Sequence, residues 1–366
     1  MAAYRVLSNG RKDRGSGSSP PNPQSSYVDY PGVISINGSA SNQIIEGFRF
    51  TGSGFSDNRI ALKFEDCTGD IIVRKCKIQG FTGLDSRAIY VKNCKRVLIE
   101  LNDYYLNTTN CQIWNSQFFK NNQEYFVYDR NKSLDIYGNR NDGSYGGLTS
   151  DLQMVNVTSD NIVVTNNRNQ FVDGKPHDIY NFLKVVCTPT GRGRFENNWA
   201  RGTTTSRTAD GVWTSDNCGN PWGDGGAFCV WEQGSTYWDA TNNICVHVPM
   251  YGFQAVRNGG PTSNIRLYDN KVILEKRSEY VVNRRTGIIT LCQTSLSYQV
   301  EDGVVEDMER NVGITYRWRD ELPNPYWVRN DVYPGAPGVS DKTSNKYGAA
   351  AEAAGYNPNI IPDYII

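Results

Sequence analysis

The residues best equipped for chemistry crowd into one stretch of the chain. Five of the eight tryptophans fall there, Trp199, Trp213, Trp222, Trp231 and Trp238, with Tyr237 beside the last. Glycines and carboxylates interleave with them, including Asp210, Asp216, Asp224, Glu232 and Asp239. Aromatic faces pack against the C–H surfaces of sugars, while carboxylates and amides bond the hydroxyls. A groove of this composition suits a polysaccharide. The same tryptophans would serve equally as a small core beneath a loop or as an intersubunit contact. Glycoside hydrolysis would need two of the acids to face one another, about 5–5.5 Å apart for retention and wider for inversion. Asp210, Asp216, Asp224 and Glu232 are the catalytic candidates, and spacing along the chain does not pair them. A lyase would instead need a cationic base and a charge-neutralising metal. Lys175, Arg201 and Arg207 could supply the base, with Asp173 or Asp178 as Ca2+ ligands. No other cofactor is implied.

Several chemistries lack their signals. No two cysteines show C-x-x-C spacing, so a zinc site is not expected. There is no nucleophile elbow and no H-E-x-x-H. The segment GRGRFENN follows a strand pattern but opens no helix, so it is not a phosphate loop. The two histidines, His177 and His247, sit in KPHDIY and CVHVPMY, contexts that suit structural roles. Lys plus Arg equals Asp plus Glu at 38 each, which points to neither nucleic acid nor an anionic membrane. No apolar run approaches the roughly 18 residues of a membrane span, and the N-terminus lacks the apolar stretch of a secretory signal. Export by cell lysis, as part of a virus particle, requires no signal.

The elements that must position these residues are repeats. A short alternating strand, a polar turn and a second strand ending near Asn or Gly recur along the chain. The clearest copies are ALKFEDCTGDIIVRKCKI (61–78), AIYVKNCKRVLIELNDYY (88–105) and EYFVYDRNKSLDIYGNRN (124–141), followed by LQMVNVTSDNIVVTNNRN (152–169), FLKVVCTPTGRGRFENNWA (182–200) and the earlier VISINGSASNQIIEGFRFTG (33–52). Ile34, Leu62, Ile89, Phe126, Met154 and Leu183 align as equivalent positions, at steps of 28, 27, 37, 28 and 29 residues. The long step is assigned to an inserted segment, CQIWNSQFF, itself strand-like. Strands of about five residues cannot bury an apolar face alone. Stacking coils about 4.8 Å apart pairs each strand with its neighbours and builds one continuous core. Cys67 and Cys94 fall at matching places, as do Asp66 and Asn93. Asn recurs after the second strand, at Asn102, Asn139, Asn166, Asn197 and Asn270. Most of the nine cysteines lie in apolar strand patterns and read as buried free thiols. Cys218 and Cys229, in the loop-rich stretch, are the best disulfide candidates.

Through segments such as SDNIVVTNN and TSNIRLYDN, together with the recurring Asn, residues 33–303 resemble the pectate-lyase-like parallel β-helix superfamily, in its phage tailspike, virion-associated form. The resemblance implies an all-β, single-domain right-handed parallel β-helix. The same coils carry lyases, hydrolases, epimerases and tailspikes, so the fold alone does not choose among them. The polygalacturonase-type N-T-D, D-D, H-G and R-I-K motifs are absent. Three readings follow. The first is a tailspike-like virion surface protein, a homotrimer whose β-helix engages a cell-surface polysaccharide as receptor, with Trp199, Trp213, Trp222, Trp231, Tyr237 and Trp238 as the carbohydrate-binding residues. The second is a secreted, extracellular polysaccharide lyase or glycoside hydrolase. The third is a purely structural assembly subunit.

The ends differ from the middle. Residues 1–32 form an expected N-terminal arm, low in complexity from 9 to 26, which would become ordered when a partner subunit holds it. A Trp-rich insertion of about 199–239 interrupts the solenoid. Residues 304–366 read as a C-terminal cap or docking tail for other virion subunits, with a short helix around KYGAAAEAAGYN.

Overall fold

The alternation read from the sequence is realised as short strands, each with its apolar side chains on one side. In Ile60–Glu65, for example, Leu62 and Phe64 are buried and Lys63 and Glu65 are partly exposed. The structure is a computed structural model. It describes residues 27–52, 59–82, 86–116, 124–136, 150–170, 178–201, 227–246, 251–273, 296–314, 316–319, 326–329, 333–335 and 342–356.

Apart from the antiparallel pair Tyr316–Arg319 and Tyr326–Arg329, the strands fall into three series. The first face runs through Ile34–Asn37, Ile60–Glu65, Arg87–Lys92, Thr109–Trp114, Ser150–Thr158, Asp178–Val186, Ala227–Glu232, Tyr251–Ala255 and Leu296–Glu301. The second face begins at Gln43–Glu46 and includes Tyr125–Asp129, Ile162–Thr165, Gly193–Glu196, Thr236–Thr241 and Val305–Glu309. The third is an 11-stranded sheet running from Val28–Asp29 to Lys346–Tyr347. Within each series the neighbours pair in parallel, one coil apart, as in Ile34↔Leu62, Leu62↔Ile89 and Ile89↔Cys111. The result is an all-β molecule of long, stacked parallel sheets, consistent with a parallel β-helix. Its core runs without a break from Ile45 to Met308.

The structure revises the repeat in three places. Thr109–Trp114, within the supposed insertion, is the first-face strand of its own coil, so Cys111 and not Phe126 follows Ile89. Phe126 lies on the second face, paired with Val97 and Ile162. Met154 and Leu183 are displaced as well: the register of Ile89 continues through Cys111 to Leu152, with Met154 two residues farther along, and Leu183 is paired with Val155 and Glu232 on the side of the first face opposite the core position Phe182. Length variation sits in the connections between the third and first faces and in the first-to-second connection 115–124, while the faces keep register apart from a shift at Ile265/Arg266.

At the turn between the second and third faces, a residue with left-handed backbone is followed by a buried Asn. The pairs are Leu101–Asn102, Arg130–Asn131, Asn166–Asn167, Asn197–Asn198, Asn242–Asn243, Asp269–Asn270 and Arg310–Asn311. Each of these buried amides donates to the Oδ1 of the one a coil later, from Asn102→Asn131 at 3.0 Å to Asn311→Asn345 at 3.2 Å. The Oδ1 also accepts the backbone N–H of the preceding Asn, for instance Asn167 N to Asn198 at 3.1 Å. The ladder therefore satisfies, from side chains, backbone groups that a tight turn would leave unpaired. Asn102 and Asn270 are rungs as expected. Asn166 and Asn197 are instead the left-handed residues just before the rungs, and Asn131 is a rung that the repeat missed. Asn139 lies outside the described residues. Asn93 does bond Asp66 across one coil, at 2.9 Å.

Parallel pairing does not stop at 303. Val305–Glu309, Val312–Ile314 and Lys346–Tyr347 extend the second and third series into the region read as a tail. The expected helix is present as Ala349–Ala353. Its Ala351 packs on Val246, Ile273, Val312 and Ile314, which lie outside the main core. At the other end Val28–Asp29, placed in the arm by sequence, pairs with Phe48–Arg49.

Candidate functional site

The first face turns a row of amides away from the apolar core. Gln112 stands between Tyr90 and Gln153, and the register continues through Asn181, Val230, Gln254 and Gln299. Period-2 alternation dictates this, because the flanking Cys111, Ile113, Leu152, Met154, Tyr180 and Phe182 all enter the core. Gln112 donates to Gln153 Oε1, and Gln254 to Gln299 Oε1 at 2.7 Å. Gln112 Oε1, Gln153 Nε2 and Asn181 Oδ1 are buried and make no hydrogen bond among the described residues. Such groups cost about 1–3 kcal/mol each unless another group reaches them.

A second outward row lies beside the first: Trp114, Val155, Leu183 and Glu232. Trp114 is 41% exposed, whereas Trp199, Trp231 and Trp238 are buried. The exposed Trp114 ring and the adjoining, partly exposed Val155 and Leu183 make a surface that can stack on a sugar ring; Gln112, Gln153 and Asn181 are buried, while Gln254 and Gln299 farther along the row are partly exposed. Trp114 was legible as part of a strand-like segment but lies outside the tryptophan cluster, so composition directed attention elsewhere. The cluster is nevertheless connected to this face, because residues 202–226 join the third-face strand Trp199–Arg201 to the first-face strand Ala227–Glu232.

The sequence-predicted aromatics divide. Trp213 and Trp222 lie outside the described residues. Trp199, Trp231 and Trp238 are buried and present no face to a ligand, which corrects their assignment as sugar platforms. Trp231 stacks on Phe253 with centroids 6.1 Å apart, and Trp238 stacks on Phe182 at 4.5 Å. A Cβ on Gly193 would meet the Trp238 indole at 2.7 Å, so the glycine of GRGRF is there to admit that ring. Tyr237 is half-buried, with the Arg192 guanidinium 5.7 Å from its ring centroid. The described tryptophans of the aromatic-rich stretch are therefore buried within the protein.

Among the acids, Asp210, Asp216 and Asp224 lie outside the described residues, as do Asp173, Lys175, Arg207, His177 and His247. Glu232 is buried and accepts a bond from Asn258 at 2.9 Å. Asp239 is held by Arg192 at 2.6 Å, on the second face rather than the first. Asp178 accepts from Asn181 at 2.6 Å and from the Ala227 N–H at 3.2 Å. These three carboxylates are engaged within the protein, and Glu232 is the one member of the catalytic set among the described residues. No group of three or more His, Cys, Asp or Glu among the described residues is arranged to hold a metal.

A second concavity of about 630 Å³ lies at the turn between the second and third faces, near the C-terminal end. Its charged residues are also largely paired. Arg310 makes two bonds to Asp269, at 2.7 and 2.8 Å, which hold that carboxyl below its usual range. Lys271 sits 5.8 Å from the Tyr356 ring centroid.

Seven cysteines, including Cys229, are buried and free, so the Cys218–Cys229 disulfide is not formed. Burial pushes the Cys76 thiol up to about 11 and those of Cys94 and Cys187 to about 12. They act as small apolar side chains and not as nucleophiles. Asp151 is the unusual buried carboxyl. Desolvation raises it to about 6, against the lowering effect of Asn110, which donates at 2.7 Å, and of Tyr128, Asn169 and Tyr180 nearby.

No family model, curated protein or solved structure matches the chain.

Proposed function

We propose that this protein is a right-handed parallel β-helix of the pectate-lyase-like type that serves as a structural, glycan-engaging component of a virion surface. In this reading it is a tailspike-like homotrimer, and its two ends meet other assembly subunits. The single observation that carries the glycan reading is the exposed ring of Trp114, which stands on the first face in register with the partly exposed Val155 and Leu183. A polysaccharide supplies the ring C–H faces that stack on such an aromatic.

Titration of the protein with acidic and neutral bacterial polysaccharides, read by calorimetry, tests the proposal. Binding to at least one class is expected, weakened about tenfold or more by Trp114→Ala, a loss near 1.4 kcal/mol. Binding that is indifferent to Trp114 would remove the first-face site. New reducing ends, or an unsaturated product absorbing in the ultraviolet, would establish the lyase or hydrolase reading instead. A monomer at high concentration in light scattering would contradict the trimer.

A further inference from the structure

The concavity at the turn between the second and third faces is assembled by successive coils. Glu196, Thr241, Tyr268 and Glu309 are register partners at the end of the second face. The next residue in each coil, Asn197, Asn242, Asp269 or Arg310, has left-handed backbone and turns the chain toward the third face. Parallel stacking repeats this turn about every 4.8 Å. On the third face Lys271, Val312 and Lys346 are direct partners, so the two lysines stand about 9.6 Å apart along the stack. All three line the concavity, and Tyr356 completes it. Gly355, with a φ of 85°, ends the helix Ala349–Ala353 in a left-handed turn, and the Tyr356 N–H bonds Ala351 O at 3.1 Å.

Three cations and two carboxylates line this space of about 630 Å³. Arg310 is held by Asp269, at 2.7 and 2.8 Å, and by Glu309, at 3.0 Å. Glu196 lies 3.9 Å from Arg194. Lys271 and Lys346 form no ion pair among the described residues. Lys271 rests over the Tyr356 ring, and Lys346 is exposed. The neutral lining is polar. Asn242 Nδ2 donates to Asn197 Oδ1 at 2.6 Å, which leaves the Asn197 amide nitrogen and the Asn242 amide oxygen for a ligand, beside the hydroxyls of Thr241 and Ser344. The backbone is committed between coils. The N–H groups of Asn197, Asn242 and Asp269 donate to Thr241, Tyr268 and Glu309 O at 3.1, 3.0 and 3.1 Å. An extended peptide therefore finds no open strand edge at this turn, whereas a hydroxyl-rich chain needs only the side chains.

We infer that this concavity binds a carboxylated oligosaccharide laid across the coils. Lys271 and Lys346 each take a carboxylate, and the side chains of Asn197, Asn242, Thr241 and Ser344 bond the hydroxyls beside them. The volume is ordinary for a ligand site. None of the lining residues belongs to the first face, so the site is separate from the Trp114 surface. It selects its ligand by charge and not by an exposed ring.

The test is calorimetric titration of the full-length protein, and of its Trp114→Ala variant, with a uronic-acid hexasaccharide. The same hexasaccharide with its carboxyls reduced to alcohols, and hexaglutamate, are the comparison ligands. The acidic sugar is expected to bind in the Trp114→Ala background as well. Adding Lys271→Gln and Lys346→Gln to that background should weaken it about tenfold, the effect of losing two exposed ion pairs together. Arginine at both positions should retain it. Binding that ignores the two lysines would overturn the inference, as would equal affinity for the reduced sugar or for hexaglutamate. Binding that needs Trp114 but not the lysines would overturn it while leaving the first-face reading in place. Acetylation of the unmodified protein gives an independent reading. The hexasaccharide should slow labelling of Lys271 and Lys346 severalfold and leave the exposed Lys184 unchanged. Equal labelling with and without the sugar would overturn the inference even if the lysine variants failed to fold.

Discussion

Replacing Asn198 by Ala removes one rung of the buried ladder and should be among the most damaging single changes in the chain. Its Oδ1 accepts the Asn167 N–H at 3.1 Å and Asn167 Nδ2 at 2.9 Å. Its Nδ2 donates to Val164 O at 2.9 Å and Asn243 Oδ1 at 3.1 Å. After truncation, Asn167 Nδ2 retains Tyr128 O, and Asn243 Oδ1 retains the N–H of residue 198. The Asn167 N–H loses its side-chain acceptor, and Val164 O loses its side-chain donor. At about 1–3 kcal/mol for a buried group left unpaired, the total comes to roughly 3 kcal/mol. With an unfolding entropy near 2.1 cal/mol/K per residue, a chain of 366 residues would lose about 4 °C in Tm if it unfolds as one unit. Asn197→Gly is the control. Asn197 is exposed and has a φ of 55°, so glycine is tolerated there and only its bond from Asn242 is lost. Thermal denaturation of both variants decides the matter. If Asn198→Ala costs no more than Asn197→Gly, the ladder is not a stabilising element and the reasoning fails.

Two further outcomes follow from buried titratable groups. Burial holds the folded-state value of Asp151 at about 6, above the roughly 3.9 of an unfolded chain. Stability from this group is therefore full below about pH 4 and falls as pH rises toward 6. The loss amounts to about 3 kcal/mol. Asp151→Asn should gain on the parent by that amount between pH 4 and pH 8 in urea titrations, and a pH-independent difference would contradict the burial argument. The second concerns the seven buried thiols. Native protein treated with iodoacetamide should show no alkylation at Cys67, Cys76, Cys94, Cys111, Cys187, Cys229 or Cys245 until denaturant is added, as read by peptide mapping. Rapid native labelling of Cys229 would show that its surroundings are open.

Much of the fold was legible because strand alternation is a strong local signal. Ile34, Leu62 and Ile89 align in the structure as they do in the sequence. The alignment drifted where connections vary, since nothing local in CQIW marks it as the next first-face strand rather than an insertion. The ladder was legible to within one residue. In Thr165-Asn166-Asn167 and Glu196-Asn197-Asn198 both positions of the turn are Asn, one chosen for left-handed backbone and the other for its buried amide. Type alone does not separate those roles. Tryptophan content was a poorer guide to the site. Trp199, Trp231 and Trp238 are large enough to fill the core, and the exposed ring, Trp114, stands by itself in sequence. The incompletely bonded amides were not legible either. Their meaning depends on which side of the strand faces outward and which residues of other coils adjoin them.

The central claim is that successive coils stack in parallel at fixed register on the first face. Lys63 and Tyr90 are direct partners there, both partly exposed, with Lys92 two residues beyond Tyr90 and paired to Glu65. Cysteines replacing Lys63 and Tyr90 should form a disulfide on mild oxidation. The same cysteine at 63 with one replacing Lys92 adds about 6.6–6.8 Å along the strand and should not. Efficient crosslinking of the first pair alone is the predicted result. Equal crosslinking of both pairs, or of neither in folded protein, would contradict the stacked register on which the site, the ladder and the proposed function all depend.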